Sequence, residues 1–490
     1  MHLKDVLKNV AYSCRGDLKH VVIGGVSADS RHVAKGDLFI AVKGHDVDGH
    51  RFIADALKKG ARAVVLEKEP KGIRKGAVLI RVRDTSKVLP KIAANYYGEP
   101  ASGLKIIGVT GTNGKTTITY LLESILKKAG KKVGVVGTIN YRYGDKAIPS
   151  KNTTPGPLEL QGIFAEMAKT GVEYVVMEVS SHSLDQERVL GIEFDAAIFT
   201  NITREHLDYH RTLARYYAAK RKIFSRLKAD GVAILNADDK KVFALKKGIQ
   251  KKVLTYGIDS PADCRADHID ISLEGSRFVG YVPDGCIEFE SNLIGRHNVS
   301  NILAAVAIAF TQDIDFWAIK SGVEALNFVP GRLESVKLGQ SFKVYIDYAH
   351  TDDALGNVLS LLKGLAGGGK IITVFGCGGN RDRQKRPRMG KVACRYSDLV
   401  IITSDNPRKE DPRSIVKEIV AGVRERFCNY RVVIDRRKAI SIALARAEAG
   451  DIVLIAGKGH ERHQILRDRT IPFDDFEIAA SIVKRQGMNI

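Results

Sequence analysis

The decapeptide GVTGTNGKTT at residues 108–117 limits what this chain can fold into more than any other stretch. It follows LKII, a short β-branched apolar run. It precedes TTITYLLESILKKAG, apolar at Ile118, Leu121, Leu122, Ile125 and Leu126, a helical spacing closed by Gly130. Strand, glycine turn, helix is the setting in which backbone N–H groups and a helix N-terminus hold phosphate. Gly111 and Gly114 permit the tight turn. Lys115 can reach the terminal phosphates and the Thr116 hydroxyl a Mg²⁺ ion, with Thr112, Asn113 and Thr117 completing the grip. Val109 stands where the strict Walker pattern has its first glycine. The reading is ATP binding; the blander one is a glycine-rich turn with an incidental lysine.

At 490 residues and 44% apolar content the chain has room for two to four domains with proper cores. No apolar run approaches the roughly 18 residues of a membrane span, and the start, MHLKDVLKNV, lacks a signal-peptide core, so a soluble cytoplasmic protein is expected. The six cysteines form no CxxC pair and no zinc spacing and are read as reduced thiols. A net charge of +21 raises nucleic-acid binding, but the basic residues are dispersed, without an aromatic-interleaved strand or a basic tail. No nucleic-acid partner is expected. Polyanionic substrates would profit equally from such a field.

The fold class expected is α/β in three domains: an N-terminal unit over 1–101, a central P-loop-type domain with a mostly parallel sheet over 102–331, and a C-terminal dinucleotide-fold-like domain over 332–490. In the first, the strand LFIAV lies between the turn KGD and the polar loop KGHDVDGH. GEPASG (98–103) reads as a hinge. Central strand candidates are KKVGVVGT, VEYVVMEVS, FDAAIFTNI and GVAILNAD. Residues 262–296 read as β-hairpins and 295–310 as an apolar helix. The third unit alternates strands and helices, and its strand ends carry DYAHTDDAL, GCGGNRDRQKRP, SDNPRKEDP and GKGHE. Polar residues following strands, Glu178 in MEVSSH and His206 in TNITREHLDYH, could join Thr116 around a metal; alone, each is an ordinary loop polar. Lys220, in YYAAKRKIF, is on its own one lysine among many.

Taken in order, GTNGKTT, NTTPG, MEVSSH, TNITREHLDYH, YYAAKRKIF, GRHNVSN, DYAH, GGNRDRQKRP, DNPR and GKGHE resemble the Mur ligase family across the whole chain. DSR with LFIAVKG near the start, and DNPR near the end, resemble the branch that adds diaminopimelate as the third peptide residue. The resemblance implies an ATP-dependent amide ligase of peptidoglycan precursor synthesis, acting on UDP-MurNAc-L-Ala-D-Glu and meso-diaminopimelate through an acyl phosphate, as a monomer. It also implies two Mg²⁺ ions held by Thr116, Glu178, His206 and a carbamate on Lys220, with Lys115, Lys220 and His206 serving catalysis. Asn301, Arg332 and Asp347 match nucleotide contacts. Ser30, His45, Asp46 and Val47 match contacts to the UDP end, and Asn152, Thr153, Thr154, Ser180, Gln186 and Arg188 match or adjoin contacts to the muramoyl dipeptide. Arg381, Asp405, Asn406, Pro407, Arg408, Gly457 and Glu461 match the amino-acid site, where the Arg408 fork would pair with the far carboxylate that lysine lacks. Three positions depart from the family pattern: Asp352 for Pro, Asn380 for Asp, and Phe476 in the usual DDRE. Competing readings are a lysine-adding relative, a folylpolyglutamate synthase, or a nucleic-acid-stimulated P-loop ATPase.

Overall fold

The structure, a computed structural model, describes residues 1–44, 47–69, 77–423 and 429–487. The expected site residues His45 and Asp46 lie outside these.

Three sheets carry most of the chain. The first has five strands in the order Ser13–Arg15, Val78–Arg81, Ala63–Leu66, Leu38–Ile40, Val26–Ser27, parallel except for the first. The helix Thr85–Tyr96, capped by Asp84, leads from it toward the second sheet.

The second sheet has eleven strands. At its centre Lys105–Thr110 lies between Tyr174–Glu178 and Phe194–Phe199, parallel to both. The parallel run extends to Val133–Val136 on one side and through Leu227–Asn236 to Lys252–Gly257 on the other. These strands read as near-continuous apolar runs because helices cover both of their faces. Antiparallel pairing finishes the edges: the hairpin Asn140–Tyr143 with Lys146–Pro149, and the meander Cys264–Ser272, Gly275–Val282, Gly285–Ser291, whose first strand is itself parallel to Lys252–Gly257. The meander was expected; the first hairpin was not. The helix Arg296–Thr311 is apolar on nearly every face because it is buried in the same core as the helix Lys115–Lys128 and the sheet.

The third sheet runs Glu334–Ser335, Lys343–Asp347, Ile452–Ala456, Ile371–Phe375, Leu399–Ile402, Tyr430–Val432, and all but its first strand are parallel. Its C-terminal strand ends present the four polar loops along one edge. The helix Lys385–Tyr396 went unforeseen, since Pro387, Gly390 and several basic residues mask its buried Met389 and Ala393.

Backbone meets backbone where the second and third units join. Gly331 (φ 65°) lies so close to Gly459 (φ 51°) that a Cβ at 331 would stand 2.2 Å from the His460 nitrogen. The Gly331 carbonyl also accepts the Tyr348 N–H at 2.8 Å. At the other end of the strand Lys343–Asp347, Glu274 from the meander pairs with Lys343 at 2.7 Å and Lys337 at 3.2 Å.

Cys14, Cys264, Cys286 and Cys377 are free thiols, whereas Cys394 is disulfide-bonded, against the expectation of reduced thiols throughout. No helix among the described residues is long and apolar enough to cross a membrane.

Candidate active site

The glycine turn after Lys105–Thr110 is fixed from the neighbouring strand end. Gly111 has φ 147°, and a Cβ there would fall 1.8 Å from Thr200 Oγ1. Gly114, φ 90°, caps the helix Lys115–Lys128, and its Cβ would meet Asn301 Oδ1 at 2.4 Å. Only glycine suits both positions. The Asn113 N–H donates to Asn201 Oδ1 at 2.9 Å, and Thr200 Oγ1 donates to the Asn113 carbonyl at 2.6 Å. Lys115 Nζ curls over the loop and donates to the carbonyls of Gly111 (2.9 Å) and Thr112 (2.8 Å).

Glu178 ends its strand almost fully buried. Its Oε1 accepts from Thr116 Oγ1 at 3.0 Å and from the Thr138 N–H at 2.9 Å; its Oε2 accepts from Thr138 Oγ1 at 2.8 Å. A hydroxyl and a carboxylate thus touch beside the phosphate loop, hard oxygen donors of the kind Mg²⁺ takes, so these residues fit that ion. His206, at φ 54°, keeps 44% of its side chain open to the cleft. The surrounding walls still remove enough water to lower its pKa, against the pull of Glu205, which favours a neutral, ligand-competent imidazole. Lys220 is buried and donates to the Gly111 carbonyl at 2.6 Å. Burial first, and the charge of Lys115 second, bring its pKa well below the ordinary lysine value.

Glu205 was not singled out in the sequence. Burial would raise its pKa, yet His206, Lys115, His350 and Lys220 together hold it at about 2. It accepts from Tyr216 Oη at 3.3 Å and lies 3.8 Å from His350 Nε2, a residue of the third unit. Its signal was its place inside a motif already noted, where His206 drew the attention. Thr138 had no such signal, because its tie to Glu178 exists only in the folded sheet.

Two openings meet here. A cavity of about 280 Å³ is lined by Thr112–Thr117, Thr138, Thr153, Glu178, Ser180, Lys220, Asn301, Arg332 and Asp347. Arg332 lies over the Tyr348 ring (4.7 Å to its centroid) with Nη2 3.5 Å from Thr116 Oγ1. Asp347 accepts from the N–H groups of Leu333 and Ala349, each at 2.7 Å. A larger cleft, about 930 Å³, is lined by Arg381, Asp405, Asn406, Arg408, Gly457 and Glu461. Glu205, His206, Tyr348 and His350 line both.

In the larger cleft, Asn406 donates to Glu461 Oε2 at 2.7 Å, and the Asn406 carbonyl oxygen Oδ1 accepts from Lys458 Nζ at 3.2 Å. Lys458 also meets Glu461 at 3.0 Å and is fully buried; it too was missed. Gly457 has φ 110°, and a Cβ there would lie 3.0 Å from Asp405 Oδ2. Arg408 spends Nη1 on the carbonyls of Gly379 (3.0 Å) and Asn406 (3.4 Å). Pro407, between Asn406 and Arg408, faces the other loop, its carbonyl 1.9 Å from where a Cβ on Gly379 would fall.

Thr154, Ser180, Gln186 and Arg188 form one hydrogen-bonded set beside the smaller cavity. Thr154 Oγ1 donates to the Glu178 carbonyl at 2.8 Å, the Ser180 N–H donates to Thr154 Oγ1 at 3.0 Å, and Arg188 bridges the Thr154 carbonyl (3.1 Å) and Gln186 Oε1 (2.6 Å). Thr153 Oγ1 lies 3.1 Å from Thr138 Oγ1, and the Asn152 carbonyl accepts from Tyr141 Oη at 2.6 Å. Ser30, which opens the 3-10 turn Ser30–His32, and Val47 line neither opening.

Comparison with known proteins gives three family matches in chain order: Mur ligase family, catalytic domain, over residues 22–97; Mur ligase middle domain over 109–309; and Mur ligase, glutamate ligase domain, over 331–459. A protein of Clostridium tetani named UDP-N-acetylmuramoyl-L-alanyl-D-glutamate--2,6-diaminopimelate ligase is 43% identical over 488 residues, 99% of each chain. One of the same name from Geobacter sulfurreducens is 45% identical over 501 aligned positions, 98% of each. A solved structure of a ligase of that name is 35% identical, covers 95% of both chains and superposes with a TM-score of 0.68.

Proposed function

Because the chain belongs to the Mur ligase family, we propose that it joins meso-diaminopimelate to the D-Glu γ-carboxylate of UDP-MurNAc-L-Ala-D-Glu, driven by ATP, in cytoplasmic peptidoglycan precursor synthesis. The observation that carries this reading is the continuity of the two openings. One holds the phosphate loop and the other the Arg408 and Glu461 groups, and they meet at Glu205, His206, Tyr348 and His350.

Amide formation from a carboxylate and an amine needs activation. The D-Glu carboxylate oxygen attacks the γ-phosphorus of ATP, ADP leaves, and an acyl phosphate forms. The neutral amine then attacks the acyl carbon, the amine proton is lost, and inorganic phosphate departs. Both steps crowd anionic oxygens together, and Lys115 stands where its charge offsets that crowding. Two Mg²⁺ ions held by Thr116, Glu178, His206 and a carbamylated Lys220 would supply the remaining positive charge. A lysine whose pKa is lowered by burial has the free electron pair that CO₂ requires; adding CO₂ and losing a proton turns Lys220 into a carboxylate-like ligand. Thr153, Thr154, Ser180, Gln186 and Arg188 hold the dipeptide, Ser30, His45, Asp46 and Val47 the UDP end, and Asn301, Arg332 and Asp347 the nucleotide. Arg408 reads the far carboxylate of the amino acid, and Glu461 with Asp405 faces its ammonium groups.

The test is to combine protein, ATP, Mg²⁺ and UDP-MurNAc-L-Ala-D-Glu, offer diaminopimelate or lysine separately, and measure phosphate release and product mass. Phosphate release coupled to a tripeptide product with diaminopimelate is expected. ATP consumption with no lengthened peptide would overturn the reading.

A further inference from the structure

Arg381 and Arg408 sit on two separate loops, each passing through a left-handed residue. Asn380 has φ 52°, a value asparagine tolerates, and Arg408 itself φ 53°, a value that long side chains seldom adopt. Something must hold the two loops against each other, and Glu410 is placed to do it. Its Oε1 accepts the Asn380 N–H from the first loop, while Lys409 beside it donates its N–H to Asn380 Oδ1 at 3.0 Å. The same carboxylate takes both arms of Arg386, at 2.9 and 3.0 Å. Arg386 is fully buried in the helix Lys385–Tyr396 and also reaches Glu418 at 2.9 Å and the Gly378 carbonyl at 3.3 Å. One carboxylate therefore ties the Arg408 loop, the Arg381 loop and the helix behind them.

We propose that Glu410, anchored by Arg386, is a positioning residue for amino-acid selection, holding Arg408 so that its guanidinium edge meets the far carboxylate of the donor at a fixed place. This rests on the role given to Arg408 above. Glu410 touches no substrate; it acts by fixing the two loops, as supporting shells do in designed sites.

Glu410→Ala and Glu410→Gln are to be compared with Arg408→Ala. Arg386 keeps Glu418 and the Gly378 carbonyl in either Glu410 variant, so its buried charge retains partners. In Glu410→Ala the diaminopimelate KM should rise about ten- to a hundredfold, the scale of an ångström-sized misplacement. The KM values for ATP and the nucleotide dipeptide should stay as they were. The preference for diaminopimelate over lysine should narrow, and Glu410→Asp should restore part of it. A loss of general stability would not move that preference. If Glu410→Ala does not fold, Glu410→Gln carries the same readout. Unchanged preference in folded Glu410 variants, with Arg408→Ala losing it, overturns the positioning role alone. Unchanged preference in Arg408→Ala overturns both the role of Arg408 and the proposal built on it.

Discussion

Arg408→Ala removes a guanidinium whose Nη1 is committed to two loop carbonyls, while among the described residues Nε and Nη2 donate to no protein oxygen. That edge has the geometry of a two-pronged carboxylate contact. Truncating one partner of a desolvated charge pair costs about 2–5 kcal/mol, and the half-buried setting of Arg408 points to the lower part, about 2–3 kcal/mol. At 1.4 kcal/mol per tenfold, kcat/KM for diaminopimelate should drop about 30- to 150-fold. Steady-state phosphate release with each substrate varied in turn separates the effects: the diaminopimelate KM should carry the loss, and the ATP KM should hardly move. Lysine has no far carboxylate, so the slow rate with lysine should be little changed. Equal rises in the KM of ATP and diaminopimelate would refute the reasoning, because a loop collapse and not a lost carboxylate contact would then explain the defect.

In Gly111→Ala the new methyl would overlap Thr200 Oγ1 at φ 147°. ATP affinity measured by calorimetry should vanish and the Tm fall, with strain alone worth about 1–3 kcal/mol; normal ATP binding would mean that the loop does not grip phosphate in this form. Lys220→Ala should be nearly inactive and partly rescued by short carboxylates, and native protein kept in bicarbonate should weigh one CO₂ more; full activity of the unsupplemented variant would remove the carbamate. Glu410 is held at about 2, chiefly by its hydrogen bond from Arg386, below the roughly 4.3 of an unfolded glutamate. Its contribution is complete above about pH 4.3 and is lost as pH falls toward 2, so the Tm of the native protein should decline more steeply through that window than the Tm of Glu410→Gln. Parallel curves would show that the pair adds nothing.

The phosphate loop was legible because everything it needs lies in one unbroken run of chain, 105–128: a strand, two glycines, a lysine, a helix. Glu178 and His206 were legible as polar residues at strand ends. Thr138, Glu205, Lys458 and Glu410 were not, since each acquires its part from residues distant in sequence, as with Thr138 and Glu178 or Lys458 and Asn406. The three departures from the family pattern also have local explanations. Asn380 occupies a left-handed position that asparagine tolerates well, and its side-chain carbonyl accepts the Lys409 N–H. Asp352 opens the helix Asp352–Leu365, where a negative charge suits the N-terminus as proline suits the first turn. Phe476 packs on the core of the third unit, while Asp475 beside it keeps a buried pair with Arg436 at 2.6 Å. The hairpin Asn140–Pro149 escaped notice because short edge strands carry little periodicity.

At Gly331, where the chain enters the third unit, no side chain cushions the contact with Gly459 and His460; main chain bears directly on main chain. Turning the third unit at that joint would drag the 457–461 segment along with it. The chain's entry into the third unit and the 457–461 segment are then a single mechanical part, and even one methyl group wedged between them would shift both.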